Sequence, residues 1–155
     1  MKYLVLSDSH TRRSLLERII SSHSDCDAVI FCGDGASDIE KAKEAHPEIE
    51  FICVRGNCDM FSDLPEFYDF ETEGVRVALL HGHTVGAKYG DGGLIQTAKD
   101  GRYSLVIHGH THSPRADYFE GQTPFYLFNP GAVMNGSFGI AVIKDGQILL
   151  SHGRI

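Results

Sequence analysis

The sequence predicts an α/β fold in which mixed β-sheets are flanked by helices, and three observations carry that expectation. Short apolar runs recur along the chain, each ending in a turn rich in Gly, Asp, His or Asn. Several of these turns are followed by segments with apolar residues at helical spacing. The last third reads instead as hairpins, so the sheets must mix parallel and antiparallel neighbours. Runs as continuously apolar as "AVIFC" and "LVI" need cover on both faces, and two sheets packed face to face with helices outside would supply it.

Each element can be justified in turn. "KYLVL" is a buried strand and not a signal peptide, because its apolar run is short and passes at once into "SDSHT". Leu15, Leu16, Ile19 and Ile20 then share one face of a helix. "DAVIFC" runs into "GDGAS", where Ser37 is expected to cap a helix over "DIEKAKEAH" that Pro47 ends. "EFICV" runs into "RGNCD", "VRVALL" into "HGHT", and "SLVI" into "HGHTH". The glycine-rich stretch Thr84–Gly93 is either a mobile substrate loop or a plain surface connection. "ADYFEG" and "PFYLFNPG" read as neighbouring strands, and "FGIAVIKDGQILLSHG" as a hairpin turning at "KDG", where Asp-Gly supplies positive φ.

At 155 residues the chain is expected to form a single domain spanning 1–155. A hydrophobic fraction of 42% and a charged fraction of 23% are those of a soluble globular protein. No segment approaches the roughly 20 apolar residues of a membrane helix, so no membrane partner is expected. The four cysteines form no CxxC pair, which reads as reduced thiols in a cytoplasmic protein. A net charge of -7 argues against nucleic acid held by its phosphates. Phosphate can still be bound by an acidic chain that first binds metal cations.

The chemistry-bearing residues fall at the carboxyl ends of successive strands, where open α/β folds place their binding crevices. If those ends converge, Asp8, His10, Asp34, Asn57, His81, His110 and His112 meet in one place. Asp8 and His10, His81 and His83, and His110 and His112 each lie two apart, so in extended chain each pair would face one way. Gly33, Gly56, Gly82 and Gly109 permit tight turns and close approach beside them. Carboxylate, amide and imidazole donors suit Mn²⁺, Fe²⁺, Co²⁺, Ni²⁺ or Zn²⁺ better than Ca²⁺ or a thiolate-bound structural zinc. Seven donors are too many for one such ion and suit two, with one carboxylate shared. Taken singly, "GDG" and "GNCD" are ordinary turns and "HGHTH" is a His-rich tract; their specificity lies in the ordered set.

That ordered set resembles the calcineurin-like metallophosphoesterase superfamily, in particular its small bacterial and archaeal phosphodiesterase subgroup, which includes the scaffold relative Vps29. The matching residues are Asp8-Ser9-His10, Gly33-Asp34, Gly56-Asn57-Cys58-Asp59, His81-Gly82-His83 and Gly109-His110-Thr111-His112, with Asn129 to Gly131 as "NPG". The resemblance implies a four-layer α/β/β/α sandwich and a dinuclear site. One ion would take Asp8, His10, Asp34 and His112, the other Asp34, Asn57, His81 and His110, with Asp34 bridging. Mn²⁺ stands first among the metals. It also implies hydrolysis of a small phosphoester, a phosphodiester first, by a hydroxide bridging the ions. Asn57, Cys58 and Asp59 form the catalytic group that the resemblance carries over. Cys58 stands where many members have a histidine able to protonate the leaving oxygen. It is either a weak proton donor or a space-filling residue, with Asp59 bracing the loop. Arg55 would contact phosphate or form an ion pair, His108 would be structural, and His83 would steady a ligand or face substrate. The alternative is a non-catalytic, metal-binding docking module of the Vps29 type; a scaffold is free to lose ligands, and here all seven are present. Metal storage or sensing has no further support in the residues, and homo-oligomerisation stays open.

Overall fold

The structure, a computed structural model, describes residues 1–155. Ten strands form two five-stranded sheets. The first has the order β10-β9-β1-β2-β3, from β1 (Lys2–Leu6), β2 (Ala28–Phe31), β3 (Glu50–Cys53), β9 (Ser137–Lys144) and β10 (Gln147–Arg154). The second has the order β4-β5-β6-β8-β7, from β4 (Phe67–Thr72), β5 (Val75–Leu80), β6 (Leu105–Ile107), β7 (Arg115–Phe119) and β8 (Phe125–Asn129). Both are mixed: β1, β2 and β3 are parallel with antiparallel β9 and β10 appended, and β5, β6 and β8 are parallel between antiparallel edges β4 and β7.

Strand alternation builds three apolar layers. Tyr3 and Val5 of β1 and Ala28 and Ile30 of β2 point inward against Val77 and Leu79 of β5, Leu105 and Ile107 of β6 and Phe128 of β8. Their neighbours Leu4, Leu6, Val29 and Phe31 point the other way. They are covered by Leu16, Ile19 and Ile20 of α1 (Arg13–Ser21) and Ile39 and Ala42 of α2 (Ala36–Ala45). On the far side Ala78, Leu80 and Val106 lie under Leu94 and Ala98 of α3 (Gly92–Gly101). The order is therefore helix, sheet, sheet, helix, as the continuous apolar runs require.

Local departures have physical reasons. Ser37 is not the cap of α2; that helix starts at Ala36, with Gly35 before it and Ser37 inside the first turn. The strand β4 has no counterpart among the expected elements because, at the sheet edge, it is mostly exposed and mixes aromatic with acidic residues, so no apolar run marks it. It joins β5 through Glu73 (φ 50°) and Gly74 (φ 76°), the same two-residue geometry that Asp145 (φ 50°) and Gly146 (φ 79°) give the β9–β10 hairpin. Thr84–Gly93 is not an extended loop. It folds through two 3-10 turns, buries Ala87, and enters α3 at Gly92.

Candidate metal centre

The carboxyl ends of β1, β2, β5 and β6 meet at one edge of the sandwich, and the chain reverses sharply there. Asp8, His10, Asp34, His110 and His112 all have positive φ, between 42° and 67°. This backbone region is uncommon for non-glycine residues, though Asp and His tolerate it better than most. The expectation that Asp8 and His10, and His110 and His112, share a face of extended chain is therefore corrected. They lie in bends, and left-handed turns bring their side chains together. His83 opens a 3-10 turn instead of continuing a strand.

Backbone bonds fix the convergence. The Asp8 amide donates to Gly33 O (2.9 Å) and the His10 amide to Asp34 O (3.1 Å), joining the first two turns. Across the two sheets, the His110 amide donates to Asp8 Oδ2 (3.0 Å), an oxygen that also accepts from Ser7 Oγ. Gly56 and Gly109 are demanded by close approach. A Cβ at Gly56 would stand 2.1 Å from Asp34 Oδ1, and one at Gly109 would stand 1.9 Å from Ser7 Oγ.

Six of the seven candidate ligands face one another. Asp8 Oδ1 lies 3.1 Å from His112 Nε2, 3.2 Å from His81 Nε2 and 3.6 Å from His10 Nε2. Asp34 Oδ2 lies 3.5 Å from His81 Nε2 and 3.8 Å from His10 Nε2. Two groups of donors, Asp8 with His10 and His112, and Asp34 with His81 and His110, each hold their donor atoms within 4.8 Å of one another. Asn57 sits on the exposed rim, its amide nitrogen 3.5 Å from Cys58 Sγ. Asp8, Asp34 and His81 are buried, while His10, His110 and His112 are half-buried. Buried carboxylates facing imidazoles across 3–4 Å are the donor chemistry a borderline divalent ion requires, so the residues fit such an ion.

The electrostatics follow from that crowding. Burial alone would push the Asp8 carboxyl up, but His81, Ser7 and His112 outweigh it and hold Asp8 below the usual carboxylate range. Burial, followed by the neighbouring His81 and Lys88, pulls His110 down to about 4. Its ring is thus neutral and free to donate a lone pair at neutral pH. Partial desolvation, reinforced by Asp34 and Asp59, raises the Cys58 thiol.

The remaining residues take different places. Asp59, expected either in the catalytic group or as the brace of its loop, directs its carboxylate at backbone: Oδ2 accepts from Asp34 N (2.7 Å) and Gly56 N (2.8 Å), and Oδ1 from Gly35 N and Ala36 N (both 2.9 Å). It is the brace of the Asp34 turn. Cys58 fills no space; it is exposed, and its sulfur lies within 4.8 Å of donor atoms of His10 and Asp34. Arg55 pairs with Glu66 (2.9 Å), and His83 stands between Glu66 (3.8 Å) and His81 (Nδ1 to Nδ1, 3.2 Å). His108 is fully buried, bonded through Nδ1 to Gly109 O (3.1 Å), and pushed down to about 4 by burial. The "NPG" motif has a structural use beyond its sequence match. Buried Asn129 donates to Gly109 O (2.9 Å) and Thr111 Oγ1 (3.0 Å), holding the turn that carries His110 and His112.

Known proteins resemble this chain over most of its length. A probable metallophosphoesterase of Methanocaldococcus jannaschii is 27% identical over 131 residues, covering 83% of this chain and 66% of that protein. A phosphodiesterase of the same organism is 26% identical, covering 92% of this chain and 90% of that protein. Among solved structures, a conserved Streptococcus pneumoniae protein described as a predicted phosphoesterase superposes with a TM-score of 0.81 at 22% identity, covering 99% of this chain and 88% of that one. Entamoeba histolytica Vps29 complexed with zinc superposes at 0.75 with 19% identity, covering 99% of both chains. The calcineurin-like phosphoesterase superfamily domain matches residues 1–146, which leaves only the last strand, β10, and Ile155 outside it, and the chain belongs to that superfamily.

Proposed function

We propose that this protein is a metal-dependent phosphodiesterase that works with two divalent transition-metal ions, Mn²⁺ first. Asp8, His10, Asp34 and His112 would hold one ion, and Asp34, Asn57, His81 and His110 the other. The observation that carries this reading is the position of Asp34 Oδ2, 3.8 Å from His10 Nε2 of one donor group and 3.5 Å from His81 Nε2 of the other. Asp8 Oδ1 spans the same two groups, 3.6 Å from His10 Nε2 and 3.2 Å from His81 Nε2, so these distances support a carboxylate shared between two ions, and the choice of Asp34 as that carboxylate follows the family pattern. When bound, such ions supply hydroxide at neutral pH and neutralise the charge of a phosphate clamped between attacking and leaving oxygens.

The chain's own residues do the rest. Two dications against the carboxylates of Asp8 and Asp34 leave the site net positive within an acidic protein, which draws in an anion. Asp59 holds the Asp34 turn rigid. Cys58 stands at the mouth with a raised thiol pKa, so it gives a departing alkoxide little help. Diesters with acidic leaving groups are therefore favoured. Four unpaired cysteines fit a reducing, cytoplasmic setting for a small phosphoester substrate. No helix is long and apolar enough to cross a membrane.

The test is to strip the protein of metal, reload it separately with Mn²⁺, Ni²⁺ and Zn²⁺, and assay aryl phosphodiesters beside aryl phosphomonoesters. The reading requires two ions per chain and metal-dependent turnover with diesters preferred. It fails if saturating metal gives no more than one ion per chain, or if no ion restores turnover. The likeness to Vps29 suits a docking scaffold as well. The complete donor set favours the enzyme.

A further inference from the structure

Beside His112 a cleft of about 480 Å³ opens between the Val133–Asn135 turn and the end of β10. It is lined by His112, Pro114, Asn135, Ser137, His152 and Arg154 among others, and none of its lining residues is acidic. In a chain with 21 acidic residues that is a local reversal of sign. Arg154 supplies the charge. Its exposed guanidinium makes no ion pair with a carboxylate, and it is the one lysine or arginine in the cleft lining. The cleft is also tied to the candidate centre. The Val133 amide donates to Ser7 O (2.8 Å) and the Met134 amide to Asp8 O (3.1 Å), and the β9–β10 register sets Arg154 opposite Ser137.

We propose that this cleft is a second anion subsite, and that the substrate class is a phosphodiester carrying a further anionic group, such as a second phosphate, on the arm that leads away from His112. The proposal rests on the phosphodiesterase reading and adds a specificity to it. The guanidinium fork of Arg154 takes the second anion, and the Asn135 side-chain amide, which makes no bond within the chain, is a further donor. A volume of about 480 Å³ suits an arm of nucleotide size. The net charge of -7 selects against large polyanions, while a cleft whose lining has no acidic side chain admits a small one.

The experiment uses the full-length Mn²⁺-loaded chain and two matched pairs of probes. Calorimetry compares thymidine 3′,5′-bisphosphate with thymidine 3′-monophosphate. Kinetics compare thymidine 3′-(4-nitrophenyl phosphate) with and without a 5′-phosphate. Wild type is expected to bind the bisphosphate about tenfold more tightly, an effect suited to one charge-assisted contact at an exposed site, and to show a correspondingly lower KM at similar kcat. Arg154→Ala should erase the difference within each pair while leaving the 3′-only probes and the metal content unchanged, and Arg154→Lys should keep part of it. Discrimination in binding without turnover of either diester would sink the phosphodiesterase reading and spare the subsite. Turnover of both diesters with no discrimination, or discrimination that survives Arg154→Ala, overturns the subsite alone. Failure to bind either nucleotide overturns it too.

Discussion

Replacing Asp59 by asparagine separates a residue that reacts from one that holds others in place. The carboxylate accepts four backbone N–H groups, three of them from Asp34, Gly35 and Ala36 where the strand β2 passes into α2. Hydrogen bonds to a charged acceptor are each worth about 1.5–3 kcal/mol. The four do not add in full, since Asp59 is only half-buried and an asparagine in its place would keep one accepting oxygen. A net loss of about 2–4 kcal/mol remains, a large share of the roughly 5–15 kcal/mol that stabilises a typical domain. At this chain length each kcal/mol lowers Tm by about 2–4 °C, so a drop of about 4–16 °C is expected. The measurement belongs on metal-free protein, because bound ions add stability of their own. Metal affinity should fall as well, by about 10–100-fold, since the Asp34 backbone loses its support. The reasoning is refuted if Asp59→Asn melts with wild type, keeps its metal and loses activity all the same. Asp59 would then act on substrate, and the four amides would be incidental.

Further outcomes can be stated briefly. Asp34→Asn should impair both of the proposed metal positions and Asp8→Asn weaken mainly one, as read by elemental analysis under saturating Mn²⁺. Cys58→Ser should change turnover little, whereas Cys58→His should gain most on basic leaving groups; a loss of about a hundredfold in the serine variant, with metal content matched, would make the thiol catalytic. Asp91 holds Arg115 through two bonds, 2.6 and 2.9 Å, and the Arg115 guanidinium keeps its carboxyl below the ordinary 3.8. Over that window the unfolded chain binds more protons than the folded one, so this stabilisation is complete above about pH 5 and is lost as pH falls through the lowered pKa. Asp91→Asn should therefore cost about 0.5–1 kcal/mol in chemical denaturation at pH 7, and the cost should shrink below about pH 4; a pH-independent cost would mean packing rather than charge.

The layers were legible because β1, β2 and β6 are buried on both faces and β5 is nearly so. "YLVL" and "AVIF" must sit between a sheet and a helix, and Tyr3 and Val5 against Leu4 and Leu6 show both faces apolar. The same criterion made β4 invisible, since an exposed edge strand of Phe, Tyr, Asp and Glu has no such run. Its hairpin turn, Glu73-Gly74, was the missed signal. Helix α3 was hidden by Gly92-Gly93 at its start, where glycine argues for a loop although Leu94 and Ala98 are buried. At the site the donors could be named from their places at strand ends, but not the route by which they meet. Alternation suggested extended chain, whereas Asp8, His10, Asp34, His110 and His112 reach one another through left-handed turns. Periodicity carries no record of φ. Nor could spacing tell that Asp59 would spend both oxygens on amides while Cys58 beside it stayed open to solvent.

Asp8, His10 and Asp34 hang from one sheet, and His81, His110 and His112 from the other. The gap across which an ion would be gripped is thus a caliper whose jaws are the two sheets, and whose opening is set by the side chains wedged between them. Ile30, Leu79, Ile107 and Phe128 sit in that wedge, the first three only two to four residues ahead of Asp34, His81 and His110. Trimming or enlarging one of them alters the span between oxygen and nitrogen without touching a ligand. Preference among ions of different radius would in that sense be a property of the hydrophobic interior, and a swap such as Ile30→Val would tune it without altering a donor.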